Sequence, residues 1–136
     1  MSILVSMYGL SFMINNKAKQ SFFEYPIKSA NPIQLAKELP IILSERHIDI
    51  TSFDRIQLIH HNQLNTLIPT PLFEADKAKA LLNLNVKTLD GDQCQSDLIQ
   101  SLDAYNYYVV YHKITEYFSS VNLMNQHSAT KFFEAI

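Results

Sequence analysis

The side chains able to do chemistry in this sequence are few and scattered. Five histidines, one cysteine and a loose run of aspartates make up most of them. His60 and His61 draw attention as a metal pair, but neighbours on a strand project to opposite faces and cannot chelate one ion. His47, His112 and His127 have no companion at ligand spacing. Cys94 would need a lowered thiol pKa to act as a nucleophile. It is flanked by Asp92 and Asp97 with no Lys or Arg close in sequence, so a plain thiol is expected. Asp90-Gly91-Asp92, with Asp97 and Asp103 beyond, has the flavour of a calcium loop. The stretch from Leu89 to Ser101 lacks the alternating oxygen ligands and closing glutamate of such a loop, so a solvated turn is expected. Tyr105, Tyr107 and Tyr111 alternate onto one face of a strand, with Asn106, Tyr108 and Val110 on the other. Those three tyrosines are the candidate protein-contact surface.

The totals narrow the classes further. The chain has 136 residues, 18% of them charged and 47% apolar, which fits a globular protein able to bury a core. Eleven basic against thirteen acidic residues give a net charge of −2, scattered along the chain, so nucleic acid is not an expected partner. No apolar run is long enough to span a bilayer, and the start lacks the basic region of a signal peptide. With a single cysteine there is no internal disulfide, and a cytoplasmic location is expected. The only glycines are Gly9 and Gly91, so neither a P-loop nor a G-x-G-x-x-G loop exists to cradle phosphate.

Patterning supplies the elements that must position these residues. Ser2 to Met7 and Leu10 to Ile14 flank a tight turn at Met7-Tyr8-Gly9-Leu10, and Gly9 offers the positive φ that a hairpin needs. A polar turn at Asn15 to Lys17 leads to a third strand, Gln20 to Tyr25, ended by Pro26. Asn31-Pro32 starts a helix by side-chain capping and a donor-free first position. That helix is predicted over 33–45, with Pro40 as a kink or break. Arg55 to His61 forms a fourth strand, parallel to part of the meander through a crossover. Leu64 to Pro69 is a fifth strand, Phe73 to Leu84 a second helix, and Gln93 to Ile99 and Tyr105 to Tyr111 two more strands. His112 to Ser119 is a short helix with Ile114, Tyr117 and Phe118 inward. A last strand over 122–125 precedes a helix capped by Ser128.

This order is that of an α/β, ribonuclease H-like domain, residues 1–63 and 112–136, interrupted by a small strand-helix-strand-strand subdomain at 64–111. The chain resembles the N-terminal half of an actin-like ATPase fold protein, in the branch with the cell-division protein FtsA and the pilus assembly protein PilM. It is more similar still to an uncharacterised family of Bacteroidetes proteins with that fold. The matching stretches are Leu4 to Phe12, Ile59 to Asn62, Leu67 to Pro69 with Leu72-Phe73, Leu102 to Asn106, and His127 to Thr130. Members of that family are longer, so this chain looks like their first half.

The resemblance implies a test at the first hairpin. Active members carry an Asp-x-Gly-Thr or Asp-x-Gly-Ser turn, whose aspartate positions magnesium and whose glycine and hydroxyl approach phosphate. Here Gly9 matches the glycine, Met7 stands at the aspartate position and Leu10 at the hydroxyl position. A thioether and an isobutyl group do not ligate a hard cation. Nuclease relatives need carboxylates on the first strand and near the end of the fourth, where this chain has none and His60-His61-Asn62 respectively. The expectation is no catalysis and no cofactor: a degenerate actin-like fold used as an interaction or scaffold module, a homodimer through the small subdomain being one form of it. The alternative is half of a nucleotide-binding ATPase or sensor whose other ligand groups lie in a C-terminal half. A small-molecule cleft is a third option.

Overall fold

A computed structural model describes residues 1–16, 19–27 and 31–135. Its first sheet grows from the opening hairpin. Strand β1, Ser2–Ser6, and strand β2, Gly9–Asn16, are antiparallel with Ser6 opposite Gly9, and β3, Lys19–Pro26, continues the meander. The expected turn at Asn15 to Lys17 falls partly inside β2, and Lys17 lies outside the described residues. Strand β4, Ile56–His61, lies parallel to β1 as a crossover demands, and β5 (Asn65–Pro69) follows it in the chain and belongs to a second sheet. The full order is β3-β2-β1-β4-β8, where β8 is Leu123–His127.

Helix α1, Pro32–Glu45, begins as its sequence dictates. Asn31 Oδ1 accepts the Gln34 amide at 2.8 Å, and Pro32 takes a position where an amide would have no helical partner. Pro40 does not split it, because Leu35, Leu39, Ile42 and Leu43 bury one continuous stripe that outweighs one lost amide bond. The helix stops by a left-handed residue, His47 at φ 56°. Its amide bonds back to the Ser44 carbonyl at 3.1 Å and the Ile48 amide to Leu43 at 2.9 Å. The core beneath holds Ile3, Val5, Leu10, Phe12, Ile56 and Leu58 from the sheet. Tyr111, Ile114 and Phe118 join it from around helix α3, His112–Tyr117, which follows β7 (Ala104–Val110) in the chain. Tyr117, expected inward, is 38% exposed. Ile114 and Phe118 fill the inward positions of so short a helix.

The second sheet is three-stranded and antiparallel, in the order β5-β7-β6, with β6 at Gln93–Ile99. Helix α2 is shorter than the periodicity predicts, Ala78–Asn83. Pro69 and Pro71 tighten Thr70–Leu72 into a 3-10 turn. Phe73 is drawn out of the helix to stack on Tyr105, ring centroids 4.2 Å apart. Helix α4, Ser128–Glu134, is capped by His127 rather than Ser128.

The chain divides into two compact units, Met1–His61 with Tyr111–Asn125, and Asn62–Val110 with the chain from Gln126 onward. The C-terminal helix, expected with the larger sheet, groups with the smaller one.

Candidate functional site

The first hairpin presents Met7 and Tyr8 to solvent, 61% and 83% exposed, while Leu10 is buried in the core. Leu10 therefore points away from any phosphate at the turn. Gly9 has φ 142°, and a Cβ there would overlap the Tyr25 carbonyl oxygen and stand 3.0 Å from Pro26 Cα. Close backbone approach thus fixes glycine at this position without any ligand. The Ser6 hydroxyl, just before the turn, is spent locally. Its Oγ donates to the Gly9 carbonyl at 3.4 Å and accepts the Tyr8 amide at 3.2 Å. A depression of about 280 Å³ beside the turn is lined by Ser6, Tyr8, Gly9, Leu10, Ser11 and Glu24, together with Tyr25 and Pro26. This donor set, with one carboxylate on β3 and none on the turn, does not fit a magnesium-phosphate group.

His60 and His61 divide as a strand requires, His60 fully buried and His61 exposed. His60 Nε2 donates to Asn125 Oδ1 at 2.9 Å, and its ring meets Tyr111 edge-on at 5.9 Å. Burial pushes its pKa down, against the opposing effect of the Asn125 hydrogen bond. It is a neutral core histidine.

The Asp90-Gly91-Asp92 turn has its carbonyls directed at a cation, but the cation is a side chain. Lys79 Nζ donates to the carbonyls of Leu89 at 3.0 Å, Asp90 at 3.3 Å and Asp92 at 3.0 Å, which uses the three donors of an ammonium. Lys79 thereby staples α2 to the loop before β6. It also brings a positive charge towards Cys94 that the sequence spacing had not shown. Burial still dominates there and raises the thiol pKa, despite the lowering effects of Tyr107 and Lys79. Among the described residues no three of His, Cys, Asp and Glu converge as metal ligands.

The tyrosines do not make one exposed face. Tyr111 is only 7% exposed and belongs to the core of the first unit. Tyr105 lies under Phe73. Tyr107 is pushed up to about 12 by burial and by its hydrogen bond with Cys94. Tyr108, on the opposite face, is fully buried and raised by burial and by Asp97.

The densest polar constellation was not signalled by any motif. Asp97 on β6 accepts the Tyr108 hydroxyl at 3.0 Å through Oδ1. Its Oδ2 accepts the Thr130 hydroxyl at 2.7 Å and the His127 amide at 2.9 Å. Thr130 Oγ1 in turn accepts Asn106 Nδ2 at 3.1 Å, and Asn106 Oδ1 accepts Asn65 Nδ2 at 3.1 Å. His127 Nδ1 accepts the Ala129 amide at 3.0 Å, so its proton sits on Nε2, which donates to the Asn62 carbonyl at 3.0 Å. Each of these bonds joins a donor to an acceptor, and the network fastens the start of α4 to β6 and β7. Its signal in sequence is Asn106, a polar residue on the buried phase of the most strand-prone segment. Such a residue demands partners.

A family described as "Protein of unknown function (DUF3822)" matches residues 1–135. The chain belongs to that family. Among solved structures it is similar to a protein of Bacteroides thetaiotaomicron VPI-5482 described as having an actin-like ATPase fold and unknown function. The two are 19% identical, with a TM-score of 0.78 over 98% of this chain and 53% of the other. The fold of this DUF3822 member is therefore actin-like, and the chain spans about half the length of that structural relative. No curated protein matches. Among the described residues no helix is long and apolar enough to cross a membrane.

Proposed function

We propose that this chain is a noncatalytic actin-like module of the cytoplasm that works by binding protein, with residues 64–111 as a small subdomain inserted in a ribonuclease H-like core. The observation that carries this is the first turn. Met7 stands exposed where active relatives of the fold place a magnesium-binding aspartate, and Leu10 is buried where they place a hydroxyl. Both substitutions remove oxygen ligands, and the remaining hydroxyl of Ser6 is committed to backbone groups. Without a cation bridge, transfer of a phosphoryl group at this turn lacks its main source of charge stabilisation.

A phosphate-release assay with magnesium-ATP tests the proposal. The expected rate equals that of buffer, and turnover abolished by Glu24→Gln would refute it.

A second reading is favoured by one observation. The match covers only 53% of the structural relative, so a longer protein could complete a nucleotide site from its other half. Nucleotide binding by a longer gene product but not by residues 1–136 would select that reading.

A further inference from the structure

We infer that the outer edge of β5 pairs, antiparallel and about a two-fold axis, with the same edge of a second copy of this chain. This rests on the interaction-module reading and names the surface and its occupant.

The hydrogen-bond phase of β5 is set by its two ends. Leu64 accepts the Val109 amide at 3.0 Å, and the Thr70 amide donates to Asp103 at 3.0 Å. In an antiparallel ladder bonded pairs alternate, so Thr66 faces Tyr107 and Ile68 faces Tyr105 in bonded pairs. Asn65 and Leu67 then turn their amides and carbonyls away from β7. Because β5 ends the sheet, these groups line its open side.

Charge and exposure select this edge for self-association. End strand β3 carries Lys19 and Glu24, end strand β6 carries Asp97, and end strand β8 closes on the buried Gln126 and His127, whereas Asn65–Pro69 is uncharged and carries the exposed Leu67. The charged residues at the rim, Glu74 and Lys77, neutralise each other at 2.9 Å. A second copy therefore meets no net like charge. An antiparallel edge is also its own complement, since a two-fold axis sets each outward donor opposite an outward acceptor.

Registers centred on Thr66 and on Leu67 both use the outward amides of Asn65 and Leu67, and both bring Leu67 to the axis or beside it. With Leu67 on the axis, Leu67 exchanges both backbone bonds with Leu67 of the second copy. Each Asn65 amide then reaches the Pro69 carbonyl opposite, and the missing Pro69 amide ends the pairing. The same approach covers the apolar groove between β5 and α2. That groove holds about 590 Å³ and is lined by Ile68, Leu72, Leu81 and Leu84 among others. Leu67, Leu72 and Leu84 are 41%, 66% and 79% exposed, and a second copy would shelter them.

Sedimentation equilibrium of the full chain, from micromolar to millimolar, tests the inference with Leu67→Pro and Leu67→Lys. The Leu67 amide points away from β7, so proline spares the β5–β7 ladder, and lysine places like charges at or beside the axis. Circular dichroism checks that each variant is folded. The expected result is a monomer-to-dimer transition in the wild type, weakened at least about a hundredfold in both variants. A wild type monomeric throughout, or a dimer equally tight in the variants, overturns the inference. Cross-linking to a foreign protein that needs the free Leu67 edge, by a chain that stays monomeric, also overturns it. In that case the interaction-module reading survives, because the two fail on different readouts.

Discussion

Replacing Asp97 by alanine removes the acceptor that three donors share, and the cost can be worked from the geometry. The lost bonds are those from the Tyr108 hydroxyl at 3.0 Å, the Thr130 hydroxyl at 2.7 Å and the His127 amide at 2.9 Å. A hydrogen bond to a charged group contributes about 1.5–3 kcal/mol. Simple addition over three would overshoot, because they share one carboxylate and Asp97 is partly exposed, so water replaces part of it. Tyr108 and Thr130 are fully buried, however, and their hydroxyls would lose their acceptor. A loss of about 2–4 kcal/mol follows for Asp97→Ala. Asp97→Asn should cost about half as much: its oxygen keeps Thr130 and the His127 amide, while its amide faces Tyr108, whose hydroxyl can turn to accept. Urea unfolding measures the loss, and hydrogen exchange locates it. In Asp97→Ala, exchange should accelerate first in the amides of 127–135, with β1 and β2 unchanged. A loss below about 1 kcal/mol, or asparagine as harmful as alanine, would refute the network as the fastening of α4.

Three further outcomes are expected. Gly9→Ala should lower stability by about 2 kcal/mol or more, measured by thermal melting, since a Cβ has to displace the Tyr25 carbonyl at a φ that disfavours side chains. His60 should make stability fall in acid. Above about pH 6.5 the residue is neutral in both states, and its contribution is present in full. As pH drops, the unfolded chain takes up a proton that the buried ring refuses, and stability is lost through the lowered folded value at up to about 1.4 kcal/mol per pH unit. His60→Gln should flatten that part of a urea-midpoint profile, and superimposable profiles would contradict the assignment. His47→Gly should be neutral or stabilising by up to about 1 kcal/mol in the same assay, because the left-handed conformation at φ 56° penalises a Cβ.

The parts of the fold legible in sequence are those with local causes. Gly9 marks the hairpin, Asn31 and Pro32 the start of α1, and Tyr105 to Val110 the central strand of the smaller sheet. The crossover that makes β4 parallel to β1 follows from the helix between them. What escaped sequence has distant causes. Phe73 leaves the helical pattern because Tyr105, far along the chain, offers a ring to stack on. Lys79 reads as a solvent-facing cation until the turn at Leu89 to Asp92 closes over it. Asp97, Asn106, His127 and Thr130 come from two strands and a helix terminus, with no spacing that a motif could record. Tyr111 alternates onto the same strand face as Tyr105 and Tyr107, yet it lies past the end of β7 and enters a different core.

Calorimetric titration of magnesium-ATP into the purified chain tests whether the first turn has lost its cation site. Heats indistinguishable from dilution are predicted, because Met7 and Leu10 supply no oxygen ligand. Saturable binding of one nucleotide per chain, lost when magnesium is chelated, would contradict the account.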